Sequence, residues 1–75
     1  MIINVNLGSW AGKYTKTGEY PLNVPKEATV EDVIATLGLP LDEAGLCTVA
    51  GKHVARGYIL SEGDNIKFFP SIVGG

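Results

Sequence analysis

Apolar and polar residues alternate at two places near the start of the chain. The first run is Ile3, Val5 and Leu7, separated by asparagines, and the second is Tyr20, Leu22 and Val24. A period of two residues is typical of a strand with one buried face, so two strands are predicted. Pro21 cannot donate a ladder hydrogen bond, and the second strand is therefore expected at a sheet edge. The glycine-rich stretch 8–18 predicts a long hairpin connection with frayed strand ends.

A helical spacing follows the second strand. Four apolar residues lie at positions i, i+3, i+4 and i+7 and form one stripe: Val30, Val33, Ile34 and Leu37. Thr29 is the expected N-cap, and Gly38 can take the left-handed conformation that ends a helix. Pro40 prevents continuation. The pattern predicts a helix over residues 30–37, which must pack against a sheet because two isolated turns are unstable.

The second half of the chain predicts further strands. The pattern of residues 46–50 and 53–55 predicts a hairpin around a tight turn at Gly51-Lys52, and a turn at 61–64 precedes a strand that Pro70 ends. The order is ββαβββ, or ββαββ with a short extra piece. This arrangement predicts an α+β fold, with a mixed sheet of four to five strands and one main helix across one face.

Length and composition limit the classes of function. A chain of 75 residues with 45% apolar content is expected to form one domain, residues 1–70, followed by a flexible tail, residues 71–75. The net charge of −2 and the scattered basic residues argue against nucleic acid as a partner. No stretch reaches the roughly 18 apolar residues of a membrane span, so no membrane partner is expected. The single cysteine, Cys47, is compatible with a cytoplasmic location.

No group of side chains predicts catalysis or metal binding. Cys47 is expected to be a buried apolar residue and His53 a surface turn residue, and two ligands are too few for zinc. Three acidic pairs are explained by helix capping or turn chemistry: Glu31-Asp32, Asp42-Glu43 and Glu62-Asp64. The loop that holds Trp10, Lys13 and Lys16 could contact a partner, but a solvated hairpin is the simpler account. The chain is therefore not expected to be an enzyme.

The chain ends in Ile72, Val73, Gly74 and Gly75. Two glycines without Cβ atoms can enter a slot too narrow for other residues, and they leave a terminal carbonyl carbon open to attack. The turn and strand at 61–70 predict a folded body that presents this tail. Five extended residues span about 17 Å at ~3.4 Å per residue, enough to reach a partner's deep active site. The carboxylate of Gly75 is therefore the candidate functional group.

Three sequence features together resemble a known family: the turn Glu62-Gly63-Asp64, the strand end Phe68-Phe69-Pro70, and the terminal Gly74-Gly75. Over its whole length the chain is similar to the ubiquitin-like β-grasp proteins of the MoaD/ThiS sulfur-carrier family. The Phe-Phe-Pro sequence resembles the MoaD side, the small subunit of molybdopterin synthase, more than the thiamine-pathway carriers. The chain departs from the MoaD pattern at Ser71, at Val73 and in the enlarged loop 8–18.

The resemblance implies a carrier cycle. A ubiquitin-activating-type adenylating enzyme would use ATP to adenylate Gly75, and a sulfur donor would displace AMP to leave a thiocarboxylate. The carrier itself would bind no cofactor. In the preferred pathway, molybdopterin or tungstopterin assembly, its sulfur would pass to a larger synthase subunit. In the second choice, thiamine synthesis, the sulfur would pass to a thiazole synthase. Transfer RNA thiolation, a ubiquitin-like modifier joined to lysines, and a plain binding module remain open alternatives.

The same resemblance suggests roles for the residues of the tail and its base. Gly75 would bear the sulfur, Gly74 would fit the slot, and Ile72 with Val73 would form apolar contacts inside the partner. Alternation with the preceding residue predicts that Phe69 points away from the core, where it would form a docking surface with Pro70. The alternative is that the Phe69 side chain makes a core contact on the second face of the sheet and does not contact a partner.

Overall fold

The computed structural model describes residues 1–70, which contain five strands and one α-helix in the order ββαβββ. The strands are β1 (Ile2–Leu7), β2 (Gly18–Asn23), β3 (Cys47–Val49), β4 (Lys52–Val54) and β5 (Asn65–Phe68). The α-helix is α1 (Val30–Leu37), and a 3-10 helix (Ser9–Lys13) lies between β1 and β2. Within these residues, no helix is long and apolar enough to cross a membrane.

The five strands form one mixed sheet in the order β2-β1-β5-β3-β4. Strand β1 pairs parallel with β5 and antiparallel with β2, and β3 pairs antiparallel with both β4 and β5. This arrangement confirms the predicted α+β fold. Strand β2 lies at the edge, as Pro21 predicted, since an edge strand needs no donor on its outer side. Strand β5, the last strand in sequence, is the middle strand of the sheet.

The core lies between α1 and one face of the sheet. The register places Val5 opposite Ile66 and Leu7 opposite Phe68, and all four side chains are buried. The apolar stripe of α1 belongs to the same core. Asn4 and the other residues between these positions face the opposite side, because successive side chains of a strand alternate between faces. The period-two pattern therefore identified the buried face correctly.

Both ends of α1 agree with the prediction. The Asp32 backbone N–H donates to Thr29 Oγ1 at 3.2 Å, and the Thr29 N–H donates to Asp32 Oδ2 at 2.9 Å, which forms a capping box. Gly38 has φ of 75°, and the Leu39 N–H donates to the Ile34 carbonyl at 3.1 Å. These bonds satisfy backbone groups that the helix ends would otherwise leave without partners.

The predicted turn at Gly51-Lys52 is wrong by one residue. The register pairs Val49 with Lys52, so the two residues between them, Ala50 and Gly51, make the turn. Both have positive φ, 53° and 81°, as the tightest two-residue hairpins require. Lys52 therefore belongs to β4. His53 also lies in β4, which agrees with the predicted strand at 53–55 and not with the expected surface turn position.

The predicted long hairpin connection at residues 8–18 is confirmed, since β1 and β2 pair antiparallel, but the expectation that this connection is simply solvated is wrong. The segment contains the 3-10 helix, whose Ala11 is fully buried in the core. Trp10 and Tyr14 are half-buried and pack against that core. A single alanine between glycines gives no periodic apolar signal, so the sequence pattern could not reveal this contact.

Candidate docking site at the base of the tail

The tail begins where the middle strand of the sheet ends. The Phe69 backbone N–H donates to the Leu46 carbonyl at 2.8 Å and extends the pairing of β5 with β3 by one residue. Pro70 has no N–H, so the ladder of hydrogen bonds cannot continue through it. The chain therefore leaves the sheet from its middle strand, with folded structure on both sides of Pro70.

Phe68 and Phe69 lie on opposite faces of the sheet. Phe68 is buried in the core beside α1, whereas Phe69 is half-buried on the face away from the helix. This placement agrees with the expected alternation and does not support a core contact for Phe69. Leu46, across the ladder from Phe69, is 62% exposed, which is unusual for a large apolar residue. Together these two side chains present apolar surface next to the start of the tail.

A cleft of about 720 Å³ surrounds these two side chains and is named here the Phe69 cleft. Its lining residues come from the loop after α1, from β4, from the segment that follows β4, and from the end of β5: Asp42, Gly45, Leu46, His53, Arg56, Phe69 and Pro70. A concave, mainly apolar surface with a few polar groups is the usual form of a binding site.

Basic side chains border the Phe69 cleft. The Lys67 ammonium lies 5.2 Å from the centroid of the Phe69 ring, within the range of a cation–π interaction. The Arg56 guanidinium is half-buried and donates a hydrogen bond to the Leu41 carbonyl. That bond holds the Arg56 side chain against the loop that follows α1. The cleft therefore combines an apolar floor with charges of both signs in its lining, Arg56 and Asp42, and Lys67 lies beside it over the Phe69 ring.

A second cleft, of about 300 Å³, lies beside the 3-10 helix and is named here the Trp10 cleft. It is lined by Trp10, Lys13, Tyr14, Glu43 and Pro70. The Tyr14 hydroxyl donates a hydrogen bond to the Glu43 carboxylate, and this bond together with the carboxylate charge raises the pKa of Tyr14. The bond ties the 3-10 segment to the loop after α1. Pro70 lines both clefts, so the base of the tail lies between them.

The structure places the predicted docking residues Phe69 and Pro70 together at the base of the tail. The other predicted site residues, Ile72, Val73, Gly74 and Gly75, lie outside the described residues. Binding of a partner by any of these residues stays a prediction.

Sequence reasoning missed most of the lining of the two clefts. Leu46, Arg56 and His53 were given no role at the base of the tail, and Glu43 was assigned to turn chemistry. Glu43 instead accepts a hydrogen bond from Tyr14, 29 residues away. No spacing in the sequence indicates such a contact, because the residues meet only through the sheet order and the path of the loop after α1.

The remaining candidate groups have structural roles. Cys47 is 6% exposed, and its burial raises the pKa of its thiol, as expected for a buried apolar residue. Glu62 accepts a hydrogen bond from the Ile2 N–H at 2.9 Å, and Asp64 accepts one from the Ser61 N–H at 2.8 Å. Residues 1–70 hold no group of three or more His, Cys, Asp or Glu side chains that could bind a metal ion.

The comparison with protein families gives one match. The family model described as Mut7-C ubiquitin matches residues 5–73, which is most of the chain and includes the strand end at Phe69 and Pro70. The comparison with curated proteins finds no match.

Three of the solved structures that match this chain come from Haloferax volcanii and Pyrococcus furiosus. SAMP1 from Haloferax volcanii is 20% identical, with all of both chains covered and a TM-score of 0.73. A second structure, of the H. volcanii small archaeal modifier protein 1, is 18% identical over 95% of this chain and 98% of that chain, also at 0.73. A Pyrococcus furiosus protein described as molybdopterin converting factor, subunit 1, is 17% identical over 96% of this chain and 99% of that chain, with a TM-score of 0.75. These likenesses confirm the ubiquitin-like β-grasp fold.

Proposed function

The chain belongs to the Mut7-C ubiquitin family, and we propose that it is a sulfur carrier whose Gly75 carboxylate is adenylated and then converted to a thiocarboxylate. Its ubiquitin-like, MoaD-like fold supports a small carrier or modifier protein rather than an enzyme. The observation that carries the proposal is the position of Pro70. It follows the middle strand β5 and lines two clefts, and the sequence after it ends in Gly74-Gly75.

The chemistry explains why such a tail needs a partner enzyme. A carboxylate is a poor electrophile until one of its oxygens becomes part of a good leaving group. Adenylation by ATP supplies that group, with release of pyrophosphate, and a sulfur nucleophile from a donor then displaces AMP. The carrier contributes an unhindered glycyl carbonyl, since glycine has no Cβ to block attack. ATP and reduced sulfur donors are both present in the cytoplasm, where we propose that the cycle takes place.

The Phe69 cleft is the proposed docking surface for the adenylating enzyme and for the synthase subunit that receives the sulfur. Its exposed Leu46 and half-buried Phe69 offer apolar contacts of the kind that dominate binding energy at interfaces. Residues 71–75 can reach about 17 Å from Pro70 when extended, at ~3.4 Å per residue. A partner docked on the cleft could therefore hold Gly75 inside its own active site. Gly74 would then fit the narrow slot, and Ile72 with Val73 would contact its walls.

Molybdopterin or tungstopterin assembly is the pathway that we propose first. The likeness to a protein described as molybdopterin converting factor, subunit 1, and the Phe68-Phe69-Pro70 strand end support it. The receiving partner would then be the larger subunit of a molybdopterin synthase. Thiamine synthesis, with a thiazole synthase as the receiving partner, comes second.

A ubiquitin-like protein modifier is the second candidate function. Two structures with the same fold and TM-scores of 0.73 carry the name of a small archaeal modifier protein. A modifier shares the adenylation step with a sulfur carrier. The two functions differ in the product, which is a thiocarboxylate in a carrier and an isopeptide bond to lysine in a modifier.

Intact-protein mass spectrometry tests the proposal. The untagged chain is incubated with ATP, a sulfur donor and an adenylating enzyme from the same organism. We expect a mass gain that matches the exchange of one oxygen for sulfur, mapped to Gly75 by fragmentation. The matched control lacks Gly75; it should keep the fold, because the core that the structure describes is built from residues 3–68, and it should show no gain.

Each other outcome has a definite meaning. Conjugates to lysine without sulfur would favour the modifier function. An unchanged mass beside an enzyme that is active on another substrate would exclude both activated forms. Adenylation of the chain that lacks Gly75 would contradict the assignment of that residue.

A further inference from the structure

Within residues 1–70, strand β2 forms one edge of the sheet, and Pro21 lies inside that strand. We propose that Pro21 prevents this edge from pairing with a second copy of the chain and so keeps the protein monomeric. The outer side of β2 is separate from the base of the tail, so this role is independent of the proposed function. A proline can act in this way only if its nitrogen faces outward from the sheet.

The hydrogen bonds between β1 and β2 show where the Pro21 nitrogen points. The Val24 N–H donates to the Met1 carbonyl at 2.9 Å, and the Met1 ammonium donates to the Val24 carbonyl at 2.7 Å, so these residues form a hydrogen-bonded pair. Along an antiparallel ladder such pairs alternate with pairs whose backbone groups point away from each other. Pro21, three residues before Val24 and opposite Asn4, belongs to the second kind. Its nitrogen therefore faces the free edge.

Asn4 gives an independent check of this orientation. The Asn4 N–H donates to the Asp64 carbonyl at 2.8 Å, on the side of β5. The backbone groups of Asn4 are therefore turned away from β2, as the alternation requires. Pro21 consequently costs the sheet no hydrogen bond between β1 and β2, and what it removes is a donor on the outer edge.

The other outward groups of β2 are available for pairing. By the same alternation the N–H groups of Glu19 and Asn23 point outward, and both residues are exposed. Within residues 1–70, neither N–H donates a backbone hydrogen bond outside the strand ladders. The strand holds one acidic residue and no lysine, so its charges give the edge little protection. Pro21 is therefore the main obstacle to the addition of another strand.

The opposite edge of the sheet is protected in a different way. Strand β4 has three residues, and Lys52 is exposed at its start. Short edge strands and lysine side chains both oppose the addition of a strand. Strand β2 has six residues, so it lacks the protection that a short strand gives. The two edges thus differ, and a proline is needed only on β2.

A second copy of the chain is the strand that Pro21 excludes, since two identical edges match in length and meet at the full concentration of the protein. Two β2 strands can lie antiparallel about a two-fold axis, with Pro21 opposite Pro21 and Glu19 opposite Asn23. In this register the two glutamates do not face each other, and the outer pairs can form hydrogen bonds. The central pair cannot, because both prolines lack an N–H and both rings occupy the space of the missing bond.

The test restores the missing donor. Analytical ultracentrifugation compares the wild-type chain with Pro21→Val and Asn23→Val up to millimolar concentration. Asn23→Val is the matched control, because it puts the same apolar, β-branched side chain on the same edge, where an N–H is already present. We expect the wild-type chain and Asn23→Val to stay monomeric. Pro21→Val should dimerise with a Kd at least about tenfold lower than any wild-type value, since each copy regains one hydrogen bond.

A second pair of chains isolates the N–H group and decides the question if Pro21→Val does not fold. A chain of 75 residues can be made by chemical synthesis, with alanine or N-methylalanine at position 21. The two chains have the same side chain there and differ in whether the nitrogen carries a hydrogen or a methyl group. We expect the alanine chain to associate more strongly. Thermal melting checks that each chain folds, and amide hydrogen exchange should show slower exchange of the Glu19 and Asn23 N–H groups in the dimer.

Each contrary outcome overturns the proposal. A folded Pro21→Val chain that stays monomeric, or a wild-type chain that dimerises through β2, would show that Pro21 is not what closes the edge. Equal association of Pro21→Val and Asn23→Val would assign the effect to the apolar side chain. Association without slower exchange at Glu19 and Asn23 would place the contact elsewhere. None of these results bears on adenylation of Gly75, because the Phe69 cleft is lined by no residue of β2.

Discussion

Phe68 and Phe69 are adjacent and chemically identical, yet they lie on opposite faces of the middle strand. Phe68 is 2% exposed in the core, and Phe69 is half-buried in the cleft at the base of the tail. The first position supports the fold, and the second presents apolar surface to a partner. Substitutions at the two positions should therefore have different consequences.

Replacement of Phe68 by alanine should destabilise the protein strongly. The change removes a large side chain from a closely packed core and leaves a cavity, at a cost of about 3–5 kcal/mol. Urea unfolding should show a lower midpoint with an unchanged slope. Phe68→Leu is the conservative control and should cost clearly less. A midpoint for Phe68→Ala within error of wild type would contradict the core assignment.

Replacement of Phe69 by alanine should change binding more than stability. Its half-buried ring leaves no enclosed cavity, so we expect a loss of about 1 kcal/mol or less in the free energy of unfolding. ATP–pyrophosphate exchange by the adenylating enzyme should show a KM for the carrier that is raised about tenfold, a typical effect of removing an aromatic contact residue. Pro21→Ala, on the exposed edge strand, is a control that should leave KM unchanged. A Phe69→Ala protein with normal KM would exclude this docking surface.

The cap of α1 can be tested by Thr29→Ala. The substitution removes the acceptor for the Asp32 N–H and one half of the capping box, which should cost about 1 kcal/mol. Thr36→Ala is the matched control, because Thr36 is an exposed residue of the same helix and its hydroxyl donates only to the Asp32 carbonyl. Alanine has the higher helix propensity there, so little change is expected. Chemical denaturation of both variants measures the difference.

Cys47 should react slowly with alkylating reagents in the folded protein. Burial raises the pKa of the thiol, and the opposing effect of the Arg56 charge is the smaller one. At any pH near neutrality the folded chain therefore holds less of the reactive thiolate than the unfolded chain. Iodoacetamide labelling followed by mass spectrometry should be much faster in denaturant. Rapid labelling of the folded protein would contradict the buried position.

The raised thiol pKa of Cys47 also gives the sign of a pH effect. A group whose pKa is higher in the folded state disfavours folding once the unfolded thiol ionises. Its contribution to stability is fully present below the ordinary thiol pKa and is lost as the pH rises towards the folded value. Cys47→Ala should therefore reduce the loss of stability above about pH 9, because the ordinary thiol pKa is 9.0.

Gly8→Ala should move Trp10. The backbone of Gly8 is extended, with φ of −75°, so alanine adds no backbone strain, but its Cβ would lie 3.0 Å from the indole. We expect the emission of Trp10 to shift to longer wavelength as the ring moves towards water. Gly12→Ala is the control, since its Cβ would meet Thr17 at an ordinary 3.7 Å. Equal emission from both variants would show that the indole does not depend on Gly8.

The local elements could be predicted because their signals are local. Alternation over residues 3–7 and the i, i+3, i+4, i+7 spacing over 30–37 reflect which side chains one strand or one helix buries. Thr29 and Gly38 marked the helix ends for the same reason, as each acts on backbone groups within one turn. The predictions failed where this signal was absent, at the 3-10 helix around Ala11 and at the turn formed by Ala50.

Local sequence patterns were enough to predict the strands and α1, the buried faces of β1 and α1, and the glycines of the tail, but not the 3-10 helix. The three-dimensional packing placed β5 in the middle of the sheet, brought Leu46 and His53 into one cleft with Phe69, and brought Tyr14 to Glu43. The physical reason is separation along the chain: these residues lie between 16 and 29 positions apart. Their contacts depend on strand order and loop paths, which the packing of the whole core sets and no local period records.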